Sequence, residues 1–440
     1  MAKKIILFLS ELRGAQQEET YDCPDGGQAT GRQTNEAPVQ YLLRVHPDVR
    51  EILCVVTPRA EESAWEPFRQ AVEQTAEKVR CTKIPFQGQE DFSQEVLPEI
   101  LAQTAGGDTI LLETTGGFRN AVMYLLLISR ALSFAGVRTV GAVYSNYSRR
   151  RIEDITPLIG FFDFIGGMQE LTSFGNVRSL REYYRARTHV PEIDSLLDAV
   201  EQLWECITLC RTNQIPERME QFNQAVEQAS VCGDPLMCAL LPAFRKKFGK
   251  RLTIPGLIKW CVQSDMLQQA LTIYKERIPT YLMVERPDIL HVPAGMPPPE
   301  MRKDYVSEEE ARFYEHFLKM GRNMEKAYYG RSRDTGEGWK DYTVTTLERL
   351  EEFLPHSYFT TQYPIERLRV IVMDYLYIRA LRNMTNHAND QETGSQRQLM
   401  TYLSGYGYQR LDEVRAQDIA GAILRALEHL QPLTKKERAK

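Results

Sequence analysis

The chain has 440 residues, 43% of them apolar and 26% charged, with a formal net charge of −5. That is room for two or three domains with substantial cores, in the composition of an ordinary soluble globular protein. The acidic balance gives no general nucleic-acid footprint and argues mildly against a protein that coats duplexes, so any RNA must be met by a local site.

Ile5 to Leu9 is a continuous apolar run and predicts a first, buried strand that Ser10 ends. From Glu11 to Glu36 the chain is polar, with turn signals at Asp25-Gly26-Gly27 and Gly31, and predicts a long loop or small hairpin. A helix over Pro38 to Val45 leads to a second strand, Ile52 to Val56, stopped by Thr57-Pro58. Helical character from Glu61 to Val79, a strand at Thr82 to Phe86, a helix at Phe92 to Gln103 and a fourth strand at Thr109 to Glu113 follow. Such alternation predicts a parallel sheet covered on both faces, an α/β Rossmann-like N-terminal domain.

The fourth strand runs into Thr114-Thr115-Gly116-Gly117-Phe118-Arg119-Asn120 and then an apolar helix, Ala121 to Phe134. A glycine turn between strand and helix lets backbone N–H groups and the positive helix end approach a phosphate, with threonine hydroxyls and Arg119 as further contacts. Ligands of open α/β sheets bind at the carboxyl ends of strands, where this loop and the loop after Ser10 belong. The plain alternative is a tight turn with a solvated arginine. There is no P-loop lysine and no G-x-G-x-x-G after the first strand, which disfavours an NTPase or a common dinucleotide enzyme. Val137 to Tyr144 predicts a fifth strand with Ile152 to Ile155 paired to it, and Arg149-Arg150-Arg151 is a solvated run suited to guarding a sheet edge.

Beyond about Gly175 the signals turn helical and predict an all-α C-terminal domain: Ser195 to Cys210, Ile215 to Ser230, Pro242 to Gly249 and Leu257 to Ile278. Within the last of these, Met266, Leu267, Ala270, Leu271 and Tyr274 form a core stripe. His291 to Pro299 and Gly330 to Gly338 are irregular, Glu308 to Tyr328 is helical, and a closing helix, Ala416 to Leu430, precedes a charged tail.

Ile371 to His387 is apolar on almost every side until it ends in Arg382-Asn383-Met384-Thr385-Asn386-His387. Such a helix belongs between other helices or across a subunit interface. Its polar end pairs an arginine with a histidine: imidazole can move a ribose 2′-hydroxyl proton near neutral pH, and a guanidinium can hold the charge on a phosphate in flight, with no metal required. Five residues put Arg382 and His387 about 140° apart on an ideal helix, so they converge only where the helix ends or bends, whereas Asn383 and His387 share a face. The alternative is a helix end whose Arg and His bond last-turn carbonyls.

The eight cysteines contain no C-x-x-C pair and no histidine at zinc-finger spacing, which predicts reduced thiols. Cys206 and Cys210, four apart, would share a helix face and are assigned to packing rather than metal. No apolar run is long enough to span a bilayer and no cleavage site follows the N-terminus, so the expected location is the cytoplasm, with no membrane partner.

Leu381-Arg382-Asn383-Met384-Thr385-Asn386-His387 resembles the HEPN ribonuclease signature, and the segment Trp260 to Pro279 resembles the long central helix of HEPN domains. An α/β domain with Thr-Thr-Gly-Gly-Phe-Arg-Asn after its fourth strand resembles the CARF domain, although Glu113 stands where Asp, and Thr115 where His, would be expected. Together the chain resembles the CARF-HEPN ribonucleases of type III CRISPR systems. The resemblance implies residues 1–175 as a cyclic oligoadenylate sensor and 176–440 as a helical region with a ribonuclease core at about 365–430. It implies a homodimer that cleaves single-stranded RNA without metal or cofactor, through Arg382, Asn383 and His387, leaving 2′,3′-cyclic phosphates. Its allosteric activator would be cyclic tetra- or hexa-adenylate held by Ser10, Glu11, Thr114, Thr115, Gly116, Gly117, Phe118, Arg119 and Asn120. Ring-nuclease activity in the sensor stays open. So do a ligand-sensing regulator whose helical half only binds RNA or a protein, and a Rossmann-like small-molecule enzyme.

Overall fold

Apolar runs without polar alternation have to be buried on both faces, and in this chain they are. The computed structural model describes residues 2–12, 17–88, 92–185, 187, 189–246, 249–293, 295–296, 298–299, 301, 305–322, 342–387 and 394–433, with only the backbone of 386, 387, 394 and 395. The chain divides into two compact units, Met1–Gly166 and Gly167–Lys440, and the boundary expected after Gly175 lies just past the helix in which this divide falls.

The first unit holds an eight-stranded mixed sheet: β1 (Lys3–Phe8), β2 (Glu19–Asp22), β3 (Gln28–Gly31), β4 (Val49–Val56), β5 (Arg80–Pro85), β6 (Thr109–Glu113), β7 (Arg138–Asn146) and β8 (Arg151–Asp154), in the order β3-β2-β8-β7-β6-β1-β4-β5. β1, β4, β5, β6 and β7 run parallel. Alternate residues of β1 feed two cores, Ile5 and Leu7 on one face and Ile6 and Phe8 on the other. The first core lies under helix α1 (Glu36–Val45) and the second under α2 (Ala121–Phe134).

Two expectations change here. The sheet is not wholly parallel, because β8 returns antiparallel to β7 and the polar segment after Ser10 forms a β2–β3 hairpin that adds beyond it. The Arg149-Arg150-Arg151 run therefore borders an interior strand and guards no edge. Arg150 adopts φ +51 in the turn, lies over the Tyr147 ring and pairs with Glu19 at 2.7 Å. The first unit closes with α3 (Thr156–Phe174), which carries the chain into the second.

The second unit is helical. Helix Ile254–Gln263 and α4 (Leu267–Thr280) replace the single long helix expected over Leu257 to Ile278, because Asp265 takes the left-handed conformation at φ +56 and breaks the ladder. Cys210 likewise takes φ +51 beyond the end of helix Pro191–Thr208, so Cys206 and Cys210 share no helix face. The eight thiols are free. Gly330 to Gly338, the end of the helix expected to reach Tyr328, and the charged tail lie outside the described residues.

Around these pack α5 (Tyr342–Glu348), α6 (Ile365–His387), α7 (Gly394–Ser404) and α8 (Ala416–His429). Every residue from Ile371 to Ile378 of α6 is buried within this one chain. Three polar groups in its buried middle are paired: Tyr375 donates to the Lys275 carbonyl at 3.1 Å, and Arg379 donates to the Tyr314 hydroxyl at 3.1 Å while stacking on its ring. Asp374 accepts from the Tyr408 hydroxyl at 2.8 Å and from His429 Nδ1 at 2.6 Å, tying α8 and the segment after α7 to α6.

Removing that carboxylate strands two donors. Asp374→Ala should lower unfolding stability by about 2–3 kcal/mol in urea denaturation, and Asp374→Asn by less. A loss under about 0.5 kcal/mol would show that the three groups pack without depending on one another.

Candidate functional site

β1 lies between β4 and β6; of the parallel strands, β4, the next in the chain after β1, is on one side of it, and β7, the next after β6, is on the other. That is a topological switch point, with a crevice at the carboxyl ends of β1 and β6. Leu7 pairs with Glu113, so Ser10 and the Thr114–Asn120 loop emerge side by side. The Gly117 N–H donates to Ser10 Oγ at 2.8 Å and joins the two segments directly.

Beneath them is a side chain that the sequence pattern did not single out. Asn35, fully buried ahead of α1, donates to the Phe8 carbonyl at 3.0 Å and accepts from the Ser10 N–H at 2.9 Å and from Gln33 Nε2 at 2.7 Å. Its amide also donates to Glu113. Gly116 approaches so closely that a Cβ there would meet the Asn35 amide, with the Phe8 carbonyl 2.5 Å away; Gly117, at φ +87, would meet Phe8 Cβ at 2.6 Å. Both glycines are thus required by packing on the end of β1.

The predicted ligand residues divide into two sets. Thr114 is buried and donates its hydroxyl to the Val143 carbonyl at 2.8 Å, and the Thr115 hydroxyl accepts from the Ser145 N–H at 2.7 Å, so both tie the loop to β7. Phe118 turns inward and stacks on Phe86 at 5.2 Å. Arg119 and Asn120 are exposed at the N-terminus of α2, and neither side chain has a hydrogen bond or ion pair among the described residues. Ser10 and Glu11 are half-buried at the rim.

Glu113 is fully buried, which pushes its carboxyl up to about 7 against donors from Thr115, Asn35 and the Gly116 N–H. The Thr115 N–H reaches it at 2.7 Å.

The second predicted site is the end of α6. Arg382 is mostly buried and turns toward α4, where its Nη2 lies 3.8 Å from Glu276 Oε1 and its Nε has no partner. Glu276 is held in turn by the Thr212 hydroxyl, and Lys275 lies 3.9 Å from the same oxygen. Asn383 is half-buried one residue on. α6 continues as a helix to His387 rather than ending before it, and regular helix geometry sets Arg382 and His387 about 140° apart within one chain. The side chain of His387 lies outside the described residues. The Asp374–His429 pair, eight residues along α6 from Arg382, is a histidine-carboxylate contact that the motif did not anticipate; its role in this geometry is to anchor helices.

The sequence matches no protein-family model and no curated protein, so any function rests on these residues. Among the described residues no helix is long and apolar enough to cross a membrane, and no group of three His, Cys, Asp or Glu side chains is placed to hold a metal ion.

A carboxyl raised in the folded state binds its proton more tightly there than in the unfolded chain. The stability it supports is present below the ordinary carboxylate range and is lost as the pH rises through about 7. Melting temperature should therefore fall between about pH 5 and about pH 8, by an amount corresponding to up to about 3 kcal/mol. Glu113→Gln, which cannot ionise, should flatten that slope in a fluorimetric melting series. An unchanged slope would mean that Glu113 is not the titrating group.

Proposed function

We propose that the chain is a cyclic-oligoadenylate-activated, metal-independent endoribonuclease for single-stranded RNA, of the kind that serves type III CRISPR antiviral defence. The observation that carries this reading is the meeting of the Ser10 segment and the Thr114–Asn120 loop at the carboxyl ends of β1 and β6. These are the two places where a Rossmann-like CARF sensor would take an adenylate ring. Arg119 and Asn120, exposed at the positive end of α2, are the groups free to meet a phosphate.

A two-fold dimer suits a ring ligand, because each copy offers the same loop to one half of it. α2, which starts at this loop, exposes Met123, Leu127 and Phe134 on one face, and α3, tied to it through Arg130 and Asp163 at 3.9 Å, exposes Leu158, Phe161, Phe162 and Ile165. A second copy seated on this apolar face would bring two loops together.

In the helical half, His387 would take the proton from a ribose 2′-hydroxyl. The freed oxygen attacks the adjacent phosphorus, the bond to the 5′ oxygen breaks, and that oxygen is protonated, leaving a 2′,3′-cyclic phosphate. Arg382 would stabilise the charge on the phosphate and Asn383 would orient it. Because Arg382 and His387 diverge on one helix, a composite of two copies is the arrangement in which they can meet. Ligand binding would act by favouring the dimer geometry in which they do.

A second reading has an observation of its own. Arg382 is drawn to Glu276 and mostly buried, which suits a regulator whose helical half binds RNA or a protein without cutting.

A fluorescent single-stranded RNA in EDTA should be cut when cyclic tetra- or hexa-adenylate is added, and His387→Ala should abolish cutting. Cleavage surviving that substitution would sink the assignment, and no cleavage with either ring would favour the regulator. Arg119→Ala should raise the effector concentration for half-maximal cutting by roughly tenfold or more. An unchanged effector response would take Arg119 out of the ligand site.

A further inference from the structure

α5 and α7 both pack against α6, the helix that carries Arg382 and Asn383, and between them they leave a cleft of about 490 Å³. Its walls carry Thr345 and Glu348 from α5, and Arg397 and Tyr402 from α7. The cleft is shallow and open to solvent, so an occupant would lie across it rather than be enclosed. None of the chemistry assigned above uses these residues.

The lining is of mixed character. The Tyr402 ring is half-buried and braced by Tyr406, with ring centres 5.1 Å apart and hydroxyls 3.3 Å apart, so it is presented as a fixed flat surface. Arg397 and Glu348 are exposed charges of opposite sign, and neither is held in an ion pair among the described residues. Two opposite charges bordering one cleft without pairing leave an acceptor and a donor set available to an incoming group. A flat aromatic face, a cation and a carboxylate together match an unpaired nucleotide. The base stacks on the tyrosine, the guanidinium meets the phosphate, and the carboxylate accepts from N–H donors on the base edge.

We propose that the α5–α7 cleft binds one unpaired nucleotide of single-stranded RNA, with Tyr402 as stacking platform, Arg397 as phosphate contact and Glu348 as reader of the base edge. This rests on the reading of the helical half as an RNA-acting domain and adds to it a subsite away from Arg382. Guanine presents two adjacent N–H donors to the two oxygens of a carboxylate, whereas uracil presents one, so Glu348 favours guanosine over uridine.

The test is fluorescence anisotropy with the full chain carrying His387→Ala, which keeps the RNA intact. The probes are a labelled octauridylate and the same oligonucleotide with one central guanosine. Arg397→Ala and Tyr402→Ala should each weaken binding by about tenfold, while Tyr402→Phe, which keeps the ring, should bind like its parent. Glu348→Gln should erase the preference for the guanosine probe. Arg397 and Glu348 are exposed, so their variants report on binding even if Tyr402→Ala disturbs α7. Equal affinity of all variants for both probes, or no binding by the parent, would overturn the proposal. Binding that depends on Arg397 and Tyr402 in a protein whose wild type cuts no RNA would uphold the cleft and reject the ribonuclease reading alone.

Discussion

Carboxylates taken out of water must find donors, and three of them organise the parts of this chain that matter most. Glu113 at the end of β6 draws in Asn35 and the N–H groups of its own loop. Asp374 in the middle of α6 draws in Tyr408 and His429. Glu276 on α4 draws in Thr212, Lys275 and Arg382. Asn35, Tyr408, His429, Thr212 and Arg382 come from distant segments, so satisfying a buried carboxyl fixes the relative placement of the elements that meet there. A change at any of these sites is a change in fold geometry before it is a change in chemistry.

That constraint alters how the sheet-end loop should be understood. A strand-glycine-helix turn is usually explained by the phosphate it could cradle. Here Gly116 and Gly117 are already demanded by the close approach of Asn35 and Phe8, and two of the threonine hydroxyls serve β7. The loop is thus held to its neighbours by its own contacts, which leaves the exposed side chains of Arg119 and Asn120 as its outward-facing groups. Rigid presentation of a few groups lowers the entropy lost on binding, which suits recognition by a small number of contacts.

Much of this arrangement was legible in the sequence, and the exceptions share a cause. Apolar runs located the parallel strands and α2 to within a few residues, and the all-round apolar pattern of Ile371 to Ile378 foretold its burial. Local pattern failed where one residue adopted a left-handed conformation, as Asp265 does in splitting a helix that composition would continue. It also failed where the decisive partner was remote. Asn35 sits in a polar stretch that looks like any loop, 78 positions from the Glu113 it meets, and Asp374 lies 55 positions from His429. Spacing along a chain carries no signal for such pairs.

The apolar character of α6 has two explanations in principle, a neighbouring subunit or the rest of its own chain, and the burial of Ile371 to Ile378 inside one chain makes the second sufficient. The case for a dimer therefore moves to α2 and α3, whose exposed Met123, Leu127, Phe134, Phe161, Phe162 and Ile165 have no such account. Met123 and Leu127 are four residues apart and Phe134 falls seven further on, on the same face of α2, while Phe161, Phe162 and Ile165 lie on α3, whose Asp163 is 3.9 Å from Arg130 of α2. Scattered exposed hydrophobics need no explanation, but a stripe on each of two helices is apolar surface whose burial would contribute about 25 cal/mol for each Å² covered. The Met123 end of the α2 stripe is within the first turn after Arg119 and Asn120, so a partner covering that end would sit near those two residues. A second copy seated on the stripes and an effector held at this loop would then be neighbours, which is how the proposed dimer and the proposed ligand site would be linked.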